Sequence, residues 1–392
     1  MDAASAGWQS LTDLIKHSWS PLTTPMDRIV TLTNASLPLA SLTDAGGSAL
    51  AYTSSLPLNE YPWYHVARPS IIQGIEDRYL SLITPVAVYW IYSLWFHLLD
   101  SLHWPSLEKH KIHEPKEVTT KNRVTVPQVI KAVIVQHTIQ TAIGYLWIEQ
   151  DNPLTGPFRN HRNDLDTYES RITSVLSLVL GGTGRHLARE HGPSVARWLY
   201  WWGVPVAQLL LAAVLLDGWQ YFWHRYFHVN KFLYRHIHSI HHRLYVPYAF
   251  GALYNHPIEG FVLDTLGAGV AQICAGLTTR QAILFFGISS AKTVDDHCGY
   301  NFPWDPFQFL FFNDVDYHDI HHQIAGLKKN FSQPFFIHFD YLFGTRMTRQ
   351  EFEDKRNKRI HKGIVPSNKV NGPNELAAPP TSKQKGPAIK QD

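Results

Sequence analysis

Between positions 79 and 99 the chain runs for 21 residues without Asp, Glu, Lys or Arg. A helix of that length reaches across the hydrocarbon core of a bilayer. In lipid, only helices and closed barrels satisfy their own backbone groups. A second uncharged run, at 132–148, is shorter and carries Gln136 and His137, and a third, at 198–216, ends on Asp217. Segment 265–291 holds two apolar runs broken by Arg280, each too short to cross, which fits a re-entrant hairpin or helices buried in a bundle. The run Val-Leu-Ser-Leu-Val-Leu within 171–182 is also too short to span and suits the membrane interface. The competing reading is a soluble helical protein with apolar buried helices. Composition weighs against it: charged residues make up only 17%, while aromatics reach 13% and include 13 Trp, a residue that favours the headgroup boundary. The expected fold class is all-α, an integral-membrane helical bundle.

Three segments follow from the patterning. Residues 1–75 are rich in Ser, Thr, Pro and Ala and read as a loosely ordered arm, without the charged start and apolar core of a signal peptide. Residues 76–350 hold the apolar runs and the chemistry-bearing motifs. Residues 351–392 form a polar, basic tail, expected to be solvated and suited to anionic lipid; Lys390 alone is weak evidence for retrieval to the endoplasmic reticulum. A net charge of +3 points to no nucleic acid, and Cys274 and Cys298 make no disulfide framework. The loop 101–131 carries Lys109, Lys111, Lys116, Lys121, Arg123 and Lys131, against Arg68 and Arg78 before the first run. The positive-inside rule therefore puts that loop in the cytosol and the arm in the lumen. The several Arg of 149–195 fit a luminal loop poorly. Asn34 and Asn330 head glycosylation acceptor triplets, expected in the lumen and the cytosol respectively.

Eleven histidines fall between His224 and His322, most of them in three boxes: His224 with His228, His238 with His241 and His242, and His318 with His321 and His322. Spacings of three and four put such side chains on one helix face. Imidazole is neutral at working pH, binds transition metals and keeps a second nitrogen for an outer partner. Eight box nitrogens are too many for one tetrahedral zinc and suit two metal ions. Asp217, Gln220, Asp316 and Asp319 flank the boxes and are expected to accept from the non-ligating nitrogens. His97 and His137 read as packing residues, His236 lies off the spacing, and Cys298 reads as a small buried side chain rather than a ligand.

Geometry alone leaves iron, zinc and copper open. A site attached to membrane helices suits a lipid substrate, and oxidising an unactivated methylene calls for iron and oxygen. Zinc would support hydrolysis, yet no H-E-x-x-H motif supplies its general base. A zinc-storing or zinc-carrying membrane protein is the alternative outside enzymes.

The boxes resemble those of the fatty-acid hydroxylase superfamily of membrane di-iron enzymes. Five stretches narrow the likeness to the fungal sphinganine (dihydroceramide) C4-hydroxylases: Asp217-Gly-Trp-Gln-Tyr-Phe-Trp-His-Arg, His238-Ser-Ile-His-His-Arg-Leu-Tyr-Val-Pro-Tyr, Asn255-His-Pro-Ile-Glu-Gly, Lys292-Thr-Val-Asp-Asp-His-Cys-Gly-Tyr and Tyr317-His-Asp-Ile-His-His. The resemblance covers roughly 75–350. It implies two Fe ions, O2, electrons from NADPH through a reductase and cytochrome b5, and an endoplasmic reticulum membrane site; the loop charges place its di-metal cap on the cytosolic side. It carries over the eight box histidines as ligands, adds His297, and makes His256 a supporting or structural residue. Tyr245, Asn255, Asp295 and Asp296 are candidates to meet an amino-diol head. A sterol methyl oxidase, C5-desaturase or fatty-acid 2-hydroxylase would use the same boxes.

Overall fold

The computed structural model describes residues 56–57, 60–66, 68, 70–147 and 160–361. Asn34, the rest of 1–55 and the tail beyond 361 lie outside the described residues. Among the described residues there is no strand, only the isolated bridges Ile72–Ile75 and Lys111–Tyr300.

Helix α1 (Asp77–Leu102) forms from the first uncharged run and is closed by His103 in the left-handed conformation. Its start is pinned by a buried carboxylate. Asp77 accepts from the Ile71 amide at 2.7 Å and from Arg280 at 2.7 Å. Arg280 also holds the carbonyls of Val66 and Arg68, so one guanidinium ties the end of the N-terminal arm to two helices. Helix α2 (Val126–Trp147) lies beside α1. Helix α3 (His161–Trp198) is kinked at Gly181 (φ 59°, ψ −127°), a backbone that only glycine adopts readily. A π-turn, Leu199–Gly203, joins it to helix α4 (Val204–Val229). Helices α5 (Gly267–Ala275) and α6 (Thr279–Asp296) make a hairpin through Gly276 (φ 65°), and Thr278 opens α6 with a capping box to Gln281. Helix α6 packs along α1 in the most extensive helix pairing of the fold, and α5 packs along α4. Two short helices complete the site region, α7 (Val315–His322) and α8 (Arg349–His361).

Three segments are long and apolar enough to cross a membrane: Asp77–Leu102, the continuous His161–Val229 and Pro257–Ala275. Their outer faces expose Ile91, Leu94, Trp95, Leu178, Leu210 and Ile273, as lipid contact requires. The protein is therefore an all-α membrane protein. The list of spans differs from the sequence expectation in two places. Run 132–148 does form a helix, but Gln136 and His137 face inward and are buried, and this helix is not among the three. Segment 257–275 is among them, because helix begins at Pro257 rather than at 265 and adds about two turns of length. The short run 171–182 is absorbed into α3.

The polar stretch after Arg346 also departs from expectation. It is helical through His361, not irregular. Phe352 is buried with Ile320, Ala325 and Met347, and Arg349 bonds both Asp316 and Asp319, so the start of this segment belongs to the core fold.

Candidate metal centre

Nine histidines converge, in two groups. His224, His228, His238, His242 and His321 form one, and His241, His297, His318 and His322 the other; in each, the nitrogen atoms lie within 4.8 Å of one another. The first box lies on the last two turns of α4. The second lies on the 3-10 turn His238–Arg243, and the third fills the end of α7. His297 caps the C-terminus of α6. His236 joins neither group and bonds the Phe232 carbonyl.

Hydrogen bonds to the outer nitrogens set the tautomers. Nδ1 meets the carbonyl of Phe331 in His224 (2.9 Å), of Tyr254 in His241 (3.2 Å), of Thr293 in His297 (2.8 Å), of Lys329 in His321 (2.7 Å) and of Leu244 in His322 (2.8 Å). A carbonyl only accepts, so each of these Nδ1 atoms carries the hydrogen and each Nε2 carries a lone pair. His238 Nδ1 meets the buried carboxylate of Glu259 at 2.5 Å.

The Nε2 atoms then face one another. His228 lies 2.7 Å from His238, 3.0 Å from His321 and 3.1 Å from His242; His318 lies 3.1 Å from both His297 and His322. Lone pairs at such distances repel, and one ring proton cannot satisfy three neighbours. A cation between them does. With metal–nitrogen bonds of about 2.1 Å, adjacent ligands sit ~3.0 Å apart around a six-coordinate ion and ~3.4 Å apart around a tetrahedral one. Burial holds the imidazoles neutral and ready to ligate: it pushes His238, His297 and His321 down to about 3 and His241 to about 4.

The four expected outer acceptors are not the ones used. Asp217 accepts from the amides of Phe335 (3.0 Å) and Phe336 (2.7 Å). Gln220 donates to the Leu263 carbonyl and accepts from Gln333. Asp316 pairs with Arg349, and Asp319 bridges Arg349 and His113. Asp217 and Gln220 share the ligand face of α4 but lie about two turns and one turn before His224 respectively, where they brace the Gln333–Phe336 segment, and Asp316 and Asp319 are taken up by Arg349 and His113. His256 caps the short helix Pro257–Gly260 through Nδ1 and touches no ring of either group. Cys298 bonds the backbone of Tyr300.

Several working residues had no sequence signal of their own. Glu259 stands inside the quoted Asn-His-Pro-Ile-Glu-Gly stretch, where its type was the only clue. Asp340, fully buried, accepts from the Phe331 and Ser332 amides, Tyr317 Oη and Thr345 Oγ1, and so shapes the loop whose carbonyls hold His224 and His321. Asn330 sits in that loop at φ 56°, donating to the carbonyls of Tyr317 and Met347. It has no exposed surface, so the folded chain cannot be glycosylated there on either side of a membrane.

A cavity of about 30 Å³, the size of a bound water, lies between the groups and the bundle. It is lined by His224, His238, His241, His297 and His318 together with Gln220, Asn255, Glu259, Asp264, Asp296 and Gln333. Of the candidate head contacts, Asn255 and Asp296 reach it; Asp296 is ion-paired to the buried Lys292 and accepts from Asn313 at 3.0 Å. Tyr245 and Asp295 do not. Tyr245 is buried on the side facing Asp319 and Arg356, and Asp295 lies by Asp296 and Asp305, where burial first and those two carboxylates after it, against the opposing pull of Lys292, push its carboxyl up to about 9.

A helical membrane protein with two buried imidazole groups beside its bundle is the class this fold and site define, and the groups can each hold a metal ion. Residues 209–345 match the family described as Fatty acid hydroxylase. The sphingolipid C4-hydroxylase sur2 of Schizosaccharomyces pombe is 45% identical over 73% of this chain and 94% of its own length. Sphinganine C4-monooxygenase 2 of Arabidopsis thaliana is 40% identical over 69% of this chain and 88% of its own. A rice (Oryza sativa subsp. indica) protein named very-long-chain aldehyde decarbonylase GL1-9 is 39% identical over 70% and 90%. No solved structure matches. The chain belongs to the fatty acid hydroxylase family and is an oxygen-dependent hydroxylase of lipids.

Proposed function

We propose that the chain hydroxylates C4 of a saturated long-chain base, sphinganine or its N-acylated form, giving phytosphingosine-type lipids. The observation that carries this reading is the pairing of two imidazole groups with a polar-lined cavity, in a chain 40–45% identical to proteins named for that reaction. The nine histidines hold two iron ions in this reading. Iron there would supply, with O2, an oxidant able to take hydrogen from an unactivated methylene. The neighbouring residues do the rest. Phe331, Lys329 and Leu244 carbonyls and Glu259 orient the ligands. Burial excludes water, and Lys292 with Asp296 keeps a charged pair at the wall beside His297. Electrons come from NADPH through a reductase and cytochrome b5, with the metal groups on the cytosolic side of the endoplasmic reticulum membrane.

The decarbonylase name of the rice relative gives a second reading, in which an aldehyde substrate loses its carbonyl carbon. Product analysis separates the two. Membranes carrying the chain should convert sphinganine or dihydroceramide to a product one oxygen heavier at C4. A product one carbon shorter than an added aldehyde, with sphinganine untouched, would replace the first reading by the second.

A further inference from the structure

The wall of the cavity opposite the histidines is polar where a lipid enzyme would ordinarily be apolar. Among its lining residues is Asp264, on the π-turn Phe261–Leu266 of a membrane-crossing segment. Its carboxylate is met, among the described residues, only by neutral amides, including that of Gln140, and by no cation. Oδ1 receives Gln220 and Oδ2 receives Gln136, both at 3.4 Å, long for amide–carboxylate bonds. Among the described residues no Lys or Arg pairs with it, and Glu259 nearby is a second carboxylate, whose Oε2 is buried without a donor. The other cavity carboxylate, Asp296, has Lys292 as its partner. Gly260 makes this wall possible: a Cβ there would lie 2.2 Å from the Gln136 amide, so only glycine admits that side chain.

A buried carboxylate without a counter-ion is costly, and a ligand cation relieves the cost. The proposed reaction supplies a reason for one. In a 2-amino-1,3-diol base the amine and both hydroxyls lie within four bonds of C4. A centre that oxidises C4 must therefore hold the whole polar head beside the metals, with the tail pointing away. The cavity is too small for the head as it stands. Entry of the head would require Gln333 to leave Gln220, whose mutual bond is 2.8 Å, and would release Gln220 Oε1 and Gln333 Nε2 for the hydroxyls.

We propose that Asp264 is the subsite for the ammonium group of a free long-chain base, with Gln220 and Gln333 meeting the hydroxyls, so that this residue favours the free base over its N-acylated form. Asp264 is a positioning and specificity residue, and the inference rests on the C4-hydroxylase reading. The test compares sphinganine with N-acyl sphinganine on the full chain in membranes, in wild type, Asp264→Asn and Asp264→Glu. The readouts are the ratio of the two kcat/KM values and the equilibrium binding of each radiolabelled lipid to purified protein, with metal content measured alongside. Asp264→Asn should lower the ratio of free base to N-acyl lipid by at least about thirtyfold, the low end of the scale for losing a buried charge partner, and Asp264→Glu should keep most of it. Should Asp264→Asn turn over neither lipid, the binding ratio decides in the same way. An unchanged ratio in Asp264→Asn, with C4 product still formed from either lipid, overturns the subsite and leaves the reaction standing. Wild-type protein that hydroxylates neither lipid overturns the reaction itself.

Discussion

Glu259 offers the sharpest test of whether the first imidazole group binds metal. Its Oε1 lies 2.5 Å from His238 Nδ1, and both side chains are 1% exposed, so solvent does not screen the contact. A carboxylate acceptor makes the ring a stronger ligand and fixes its orientation, and losing such a partner costs 10–100-fold in metal affinity. Glu259→Gln keeps an acceptor oxygen of the same reach but removes the charge, so the low end applies, about 1.4 kcal/mol. Glu259→Leu removes the acceptor as well, for about 2.7 kcal/mol. The stability of the metal-free protein should move the other way. Glu259 Oε2 is buried with no donor, and replacing an under-satisfied buried carboxylate by a neutral group of similar volume is neutral or stabilising. The assay equilibrates purified, iron-loaded protein against graded chelator, counts retained iron by mass spectrometry, and records thermal unfolding of the stripped protein. Opposite signs in the two measurements identify a ligand-supporting role. An unchanged chelator midpoint in both variants, or a fall in metal-free stability that accounts for the iron lost, refutes the reasoning.

Four further outcomes follow from the geometry. His241→Ala removes one of only four imidazoles in the second group, so C4 product should fall to near zero while the chain stays in the membrane; normal product from that variant would remove His241 from the ligand set. Iron-loaded protein should turn over and zinc-loaded protein should not, since hydroxylation needs a redox metal; full activity with zinc alone would end the oxygenase reading. Asn330→Ala strands the carbonyls of Tyr317 and Met347 and the Met347 amide, a loss of about 2–5 kcal/mol seen as a lower unfolding temperature; a change within about 0.5 kcal/mol would contradict it. Phe352→Ala should cost about 3 kcal/mol and open α8 to protease, with metal content retained; unchanged protease resistance would mean that α8 is held by the polar contacts of Arg349 and Lys355.

What was legible in the sequence was local. Uncharged runs report the solvent around a helix, because each residue pays its own transfer cost, so the membrane class and the first span could be read directly. Spacings of three and four report one helix face, so eight of the nine converging histidines could be picked out before any fold was known, while the isolated His297 came only from the family resemblance. Their division into two groups was not legible. Adjacent residues on a helix point about 100° apart, so His321 joins one group while His318 and His322 join the other, and the second box splits likewise at His241. The partner of each ring was decided only by tertiary structure. Sequence reasoning looked for side-chain acceptors and chose Asp217, Gln220, Asp316 and Asp319, the nearest in the chain. The fold supplies mostly carbonyls instead, from residues such as Phe331, 107 positions from His224, and Leu244, 78 from His322. A backbone carbonyl is the same in every residue and leaves no mark in a sequence. Glu259, Asp264 and Asp340 act through neighbours brought in by chain crossings, so their residue type announces a polar group while only the packing says what it holds.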